Sequence, residues 1–133
     1  MTCCGKHVNG SNELPEAIAS CLQLADSEVA MRWEALLRRL AAQFGRLPSG
    51  IEHVLFLIGL QERGQGYEPN LPREEKQALI VDGAGYALAT LGLFKRLPSG
   101  WEPTLTPWPV LSQEAQEKLL RVAILEYFAR QQA

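Results

Sequence analysis

The stretch Ile51-Glu52-His53-Val54-Leu55-Phe56-Leu57-Ile58-Gly59-Leu60-Gln61-Glu62-Arg63 limits what this chain can fold into more than any other part of it. Val54 to Leu60 is an unbroken apolar run. It falls far short of the roughly 20 residues that a membrane-spanning helix needs. Ser49-Gly50-Ile51-Glu52 has the spacing of a capping box at its start, and Gly64 and Gly66 come after its end. These signals predict a helix over about 51–63 that is apolar almost all round its first three turns. Such a helix has no face to give to water, so it belongs at the centre of a bundle, and the rest of the chain must supply its neighbours.

The neighbours are readable at helical spacing. Ser11 or Asn12 is placed to cap a first helix, with Pro15 in its first turn and Ala17, Ile18, Cys21, Leu22 and Leu24 as its apolar residues. Asp26 or Ser27 is placed to cap a second, whose stripe is Val29, Trp33, Leu36, Leu37, Leu40 and Phe44. Glu28–Arg32 and Glu34–Arg38 form i,i+4 pairs on its wet side, and Gly45 is placed to end it. A further helix opens after Asn70 or Leu71, with Pro72, Glu74 and Glu75 in its first turn, and runs to about Leu93. Within it Ala78, Asp82, Gly85, Ala89 and Gly92 form a stripe of small residues, to which Gly83 adds. A glycine inside a helix costs about 1 kcal/mol relative to alanine, so the stripe implies close approach by another backbone. The expected partner is the 51–63 helix.

Between Lys95 and Val110 stand Pro98, Pro103, Pro107 and Pro109, which forbid a continuous helix or a central strand. A short edge strand or an extended segment draped over the bundle is expected there. Ser112 then caps the last helix, with Leu119, Leu120, Ala123, Ile124, Tyr127 and Phe128 toward the core. Glu114–Lys118, Glu117–Arg121 and Glu126–Arg130 are the pairs expected along its outer face. The pentapeptide Arg-Leu-Pro-Ser-Gly occurs at 46–50 and again at 96–100, but the residues after the two copies share no pattern, so it reads as turn punctuation and not as a repeat. The fold class is therefore all-α: a compact bundle of about five helices with a Pro/Trp-rich extended loop before the last one. A flexible tail over 1–11 precedes a single helical domain over 12–133.

A chain of 133 residues, 47% apolar and 21% charged, holds one core and needs neither disulfide nor metal to fold. Its net charge of −2 gives no cationic field, and the basic doublets Arg38-Arg39 and Lys95-Arg96 do not join into a stripe, so nucleic acid is not an expected partner. Cys3, Cys4 and Cys21 are an odd count with two adjacent, which argues against a secreted disulfide framework. The opening MTCCGKHVNGSNE carries no apolar signal-peptide region, and a cytoplasmic location, away from membranes, is the expectation. Cys3, Cys4 and His7 are of ligating type but lack a second pair at zinc spacing, so no metal or other cofactor is expected.

Catalytic chemistry finds little to stand on. His7 and His53 are the two histidines, and no Glu-x-x-His, H-E-x-x-H, P-loop or G-x-S-x-G motif is present. Asp82-Gly83-Ala84-Gly85 resembles a phosphate loop in composition alone, because it comes after a helical and not a strand pattern. The candidate pocket is a set of polar residues in apolar surroundings: Gln61, Glu62, Asp82 and His53. A carboxylate there acts as an acid or base if it is unpaired. The plainer reading pairs Glu62 with Arg63 or Lys76 and leaves Asp82 to cap or bridge. Trp101 and Trp108 flank the proline-rich segment and are candidate partner-binding residues, or else fold back over the core.

LFLIGLQERGQGYEP, then EEKQALI, then Gly-Trp and a proline-rich stretch leading to EKLLRVAILEYF, resembles a group of small uncharacterised bacterial helical proteins. The resemblance covers roughly residues 54–128. In that group LFLIG-x-QE-x-G-x-G precedes an E-x-K-x-x-L helix, and E-x-x-LL-x-x-A-I-x-EYF ends the domain. It implies a helical fold and no known activity. The expectation is a protein-interaction or self-associating module without catalysis, working as a homo-oligomer or with a protein partner. The alternative is a small-molecule-binding protein or enzyme with its pocket at the central helix pair.

Overall fold

A computed structural model describes residues 14–64 and 70–131. Five helices and a two-stranded hairpin succeed one another along the chain: α1 Glu16–Leu22, α2 Asp26–Phe44, α3 Ile51–Glu62, α4 Arg73–Thr90, β1 Phe94–Leu97, β2 Gly100–Pro103 and α5 Gln113–Gln131. The all-α bundle read from the sequence is the fold found. The tail expected over 1–11, with its cysteines Cys3 and Cys4, His7 and the proposed cap residues Ser11 and Asn12, lies outside the described residues.

Every residue from Val54 to Leu60 is buried, as an all-round apolar helix requires. Its closest neighbour is α4, and the contact is backbone on backbone. A Cβ built on Gly59 would lie 2.2 Å from the carbonyl oxygen of Leu79, and one on Gly83 would lie 1.9 Å from that of Leu55. The two helices are therefore antiparallel, and each receives the other's carbonyl in a glycine gap four residues beyond its own leucine. That geometry suits Cα–H···O contacts, each worth about 0.5–1 kcal/mol.

The small-residue stripe has a different partner from the one expected. Leu79 and Gly83 meet α3, whereas Gly85 carries the indole of Trp101, whose Cε2 stands 2.2 Å from where a Cβ would be. Gly85 thus faces the hairpin and not α3, because it stands on a neighbouring side of α4, and Asp82 bridges the hairpin and Arg63 at the end of α3. The helix also stops earlier than the sequence suggests, at Thr90. Gly92 there takes a left-handed φ of 76°, and the Thr104 amide donates to Leu93 O (2.9 Å). The hairpin between them pairs Arg96 with Trp101 and Leu97 with Gly100. The second Arg-Leu-Pro-Ser-Gly copy thus turns the hairpin, while Gly50 of the first stands at the N-cap of α3.

α5 packs on each of the other four helices. Its start is as predicted, with the Ala115 amide donating to Ser112 Oγ at 3.1 Å. Its outer face is not. Of the three i,i+4 pairs expected, Glu126–Arg130 forms (3.2 Å), whereas Lys118 and Arg121 turn inward. Lys118 Nζ bonds Asp26 Oδ1 (2.7 Å) and the carbonyls of Leu22 (2.9 Å) and Leu24 (2.5 Å), closing the α1–α2 corner onto α5. The Arg121 guanidinium lies 5.7 Å above the Trp33 ring. α2 starts without a side-chain cap because its N-cap residue is Ala25, with Asp26 already inside the helix and bound to Lys118. Likewise the capping box expected at Ser49 is not made: the Ser49 amide donates to His53 Nδ1 (3.1 Å) and α3 has no side-chain cap.

Candidate functional site

Gln61, Glu62, Asp82 and His53 do not converge on one pocket. His53 stands in the first turn of α3 and Gln61 eight positions later, about 12 Å along the axis at 1.5 Å per residue. The described structure divides them into three neighbourhoods.

At the C-terminal end of α3, the buried Tyr127 hydroxyl of α5 donates to Glu62 Oε2. Gln61 Nε2 donates to Tyr127 Oη (3.2 Å) and to Gln131 Oε1 (2.9 Å). Burial first, and the Glu62 carboxylate second, push the Tyr127 phenol well above its ordinary range. The phenol therefore stays protonated and serves as a fixed donor. Glu62 is held by a tyrosine from the opposite end of the sequence and not by Arg63 or Lys76, the partners expected for it.

On the next side of α4, Asp82 is the acceptor for two elements. Arg63 reaches its Oδ2 with Nε (3.2 Å) and Nη2 (2.9 Å), and Trp101 Nε1 donates to its Oδ1 (3.2 Å). Tyr86 meets Trp101 edge-on with centroids 4.8 Å apart. Arg96 lies over both rings at 5.2 and 5.3 Å and donates to the Tyr86 hydroxyl. This set locks the hairpin to α4 and to the end of α3. Trp108 packs edge-on against Phe94, with centroids 5.4 Å apart and planes at 72°. Both candidate partner-binding tryptophans are half-buried and engaged within the fold.

His53 lies apart from these, beside Phe56 in a tilted ring contact of 6.5 Å. An open cleft of about 350 Å³ is bounded there by Arg46, Ser49, Glu52, His53, Phe56, Lys76 and Ile80. Desolvation, then the charge of Arg46, lowers the His53 pKa below its usual 6.5. With Nδ1 accepting from Ser49, the neutral ring carries its proton on Nε2.

A concave feature along α2 and α5 was not read from the sequence; it is separate from a wider hollow of about 590 Å³ bounded by Leu22, Asp26, Ala30, Ala115 and Lys118 at the α1–α2 corner. Two hollows of about 160 and 320 Å³ share Arg32, Leu125 and Ala129 and so join along the line between α2 and α5. Val29, Leu36, Val122, Leu125 and Phe128 form the floor, with Ala35 and Ala129 midway and Glu28, Arg32, Arg39 and Glu126 around the rim. Leu24 and Met31, 46% and 67% exposed, extend the apolar surface on the α2 side. The available signal was the position of Met31 and Ala35 on one helical line of α2, outside the stripe that fills the core.

Among the described residues, no group of three or more His, Cys, Asp or Glu side chains is placed to hold a metal ion, and no helix is long and apolar enough to cross a membrane. Cys21, the described cysteine, is buried in the core, and desolvation followed by the charge of Glu126 raises its thiol pKa, away from the reactive thiolate. No protein-family model, curated protein or solved structure matches the chain.

Proposed function

We propose that the protein is a non-catalytic helical module that pairs with a second copy of itself along the α2–α5 groove. The observation that supports this is the groove itself, an apolar floor left open between two helices of 19 residues each, about 28 Å long. An apolar trough with a charged rim is the form in which a helix is received. The occupant favoured here is the α2 of another copy, because α2 is graded in charge. Asp26 and Glu28 stand near its start and Arg38 and Arg39 near its end. Two copies related by a two-fold axis across the groove run their α2 helices antiparallel, so each acidic end meets a basic end beside the pairs Glu28–Arg32, Glu34–Arg38 and Asp26–Lys118 that each copy already makes within itself. Leu24 and Met31 then leave water on both sides of the axis.

The non-catalytic half of the reading rests on how the carboxylates are used. Glu62 accepts from a phenol that does not ionise, and Asp82 accepts from a guanidinium and an indole. Both act as joints between elements, whereas an acid or base must be free to exchange its proton with a substrate.

Sedimentation equilibrium on the full chain tests the pairing. The expected mass is twice the 14.8 kDa of one chain, and Ala35→Glu, which places a charge midway along the groove, is expected to give a monomer with unchanged far-ultraviolet circular dichroism. A wild-type chain that stays monomeric up to about 100 μM, where even a weak pair would form, overturns the proposal. So does a dimer indifferent to Ala35→Glu.

A further inference from the structure

The cleft beside His53 is separate from the groove and has a different chemical character. Its floor is apolar, made by Phe56 of α3 and Ile80 of α4. Its walls bring together three nitrogen-bearing side chains from different parts of the chain: Arg46 after α2, His53 in the first turn of α3 and Lys76 in the first turns of α4. Among the described residues neither Arg46 nor Lys76 has an ion-pair partner, whereas Arg32, Arg38, Arg63, Lys95, Lys118 and Arg130 are each paired. Glu52 lies in the same wall and leaves the cleft with an excess of positive charge.

The donors point to an acceptor. His53 Nδ1 is occupied by the Ser49 amide, so the ring has an N–H, at Nε2, and no free acceptor to offer. Arg46 and Lys76 are donors without acceptor capacity. Two unmatched cations and an imidazole N–H above an aromatic and an aliphatic side chain make a surface with one polar demand and one apolar one. The size, about 350 Å³, is at the lower end of small-ligand sites. The lowered His53 pKa agrees with a positive field in the cleft, since Arg46 contributes to it after desolvation.

We infer that this cleft binds a small organic anion, a phosphate or carboxylate head on an apolar body, with Arg46, Lys76 and His53 at the head and Phe56 and Ile80 under the body. A bare inorganic ion satisfies the cations but leaves the floor wet, and a neutral aromatic does the reverse. The ligand that meets both demands is expected to bind best. This inference does not rest on the pairing of α2 helices, and its test reads a different surface.

The test is a nuclear magnetic resonance titration of the full chain with phenyl phosphate, phenylacetate and inorganic phosphate. Phenyl phosphate or phenylacetate is expected to shift the amide signals of Ser49, His53, Phe56 and Ile80, and which of the two binds more tightly identifies the head group. Inorganic phosphate is expected to bind at least about tenfold more weakly than the better of them, because it gains nothing from the apolar floor. In Arg46→Gln/Lys76→Gln, which removes both charges and keeps polar side chains at an exposed and a half-buried position, the affinity is expected to fall by about tenfold or more through loss of charge-assisted bonds. Arg32→Gln, in the groove, is expected to leave it unchanged. No localised shift with either organic anion at about 10 mM overturns the inference, as do equal binding by inorganic phosphate and equal binding by the double variant.

Discussion

The two helix–helix seams of this bundle are built in opposite ways. Between α3 and α4 the backbones touch, because Gly59 and Gly83 remove the side chains that would hold them apart. Between α2 and α5 the contact runs through side chains, and the long residues Glu28, Arg32, Leu125 and Glu126 stand around a trough that nothing in the described structure fills. A seam with no spare volume contributes stability and admits no partner. A seam spaced by side chains contributes less and leaves surface for a partner. The difference teaches that the smallest residues of the chain mark where the fold is fixed, and that a site is better sought where the packing is incomplete.

Closing the gap at Gly83 is the most direct way to break this comparison. In Gly83→Ala the new methyl would meet the Leu55 carbonyl at 1.9 Å, a backbone atom that cannot rotate away. With a backbone oxygen that close, forcing α3 and α4 apart costs about 3 kcal/mol or more, the upper end of overpacking, against a gain of about 1 kcal/mol in helix propensity. A net loss of about 2 kcal/mol or more in urea unfolding is expected, and Gly59→Ala should behave alike. If either variant unfolds within about 0.5 kcal/mol of wild type, the seam is not the rigid contact described.

The α2–α5 seam has its fixed point at one end, in Lys118. Lys118→Met keeps the bulk of the side chain and removes its bonds to Asp26 and to the carbonyls of Leu22 and Leu24. Those carbonyls lie at the end of α1, where they regain water readily. The expected loss is about 1–2 kcal/mol, with faster amide hydrogen exchange in α1 and little change in α3. Uniform acceleration across all helices would show instead that the two seams are not independent.

At the open end of the α3–α4 seam, Tyr127→Phe tests the polar joint. It leaves Gln61 and Glu62 without the hydroxyl between them, but both are exposed and can hydrate. A loss of about 1 kcal/mol is expected in the same unfolding assay. A loss as large as that of Gly83→Ala would make the polar joint, and not the glycine gap, the main tie between α3 and its neighbours.

These contrasts also show what the sequence could and could not reveal. Val54 to Leu60 had no amphipathic option, so the burial of α3 and the bundle around it came from composition and spacing. Ser112 and Gly45 were equally legible, since a cap and a left-handed stop are local features. Partner choice was not local. Gly83 and Gly85 are two positions apart on one helix, yet one receives a carbonyl of α3 and the other an indole from the hairpin, and spacing alone does not say which element arrives on which side. Glu62 was assigned the local partners Arg63 or Lys76 in the sequence because its actual partner, Tyr127, lies 65 residues away. A tyrosine in a core stripe does carry a hint, as its hydroxyl must find an acceptor. Separation of His53 from Gln61 was within reach, since eight positions on one helix fix their distance. The two Arg-Leu-Pro-Ser-Gly copies make the same point from the other side: identical residues form a helix start and a hairpin turn, according to what packs against them.

The smallest expected effect concerns pH and separates the His53 cleft from both seams. The folded-state pKa of His53 is lowered below its ordinary 6.5. As pH falls through about 6.5, the unfolded chain takes up this proton first, while the folded chain must lose the Ser49 bond to Nδ1 and face Arg46 to do so. The stability contribution of this residue is thus fully present above pH 6.5 and declines below it, until the folded-state pKa is passed. His53→Asn keeps an acceptor near the Ser49 amide and does not titrate. Wild type is therefore expected to lose stability relative to His53→Asn between about pH 7.5 and 5.5, a window above the range where carboxylates dominate. Parallel curves for the two proteins would mean that His53 is free to ionise in the fold. An opposite slope, with wild type gaining as pH falls, would place an acidic partner on the imidazole, with Glu52 and Glu117 the candidates that share a hollow with it.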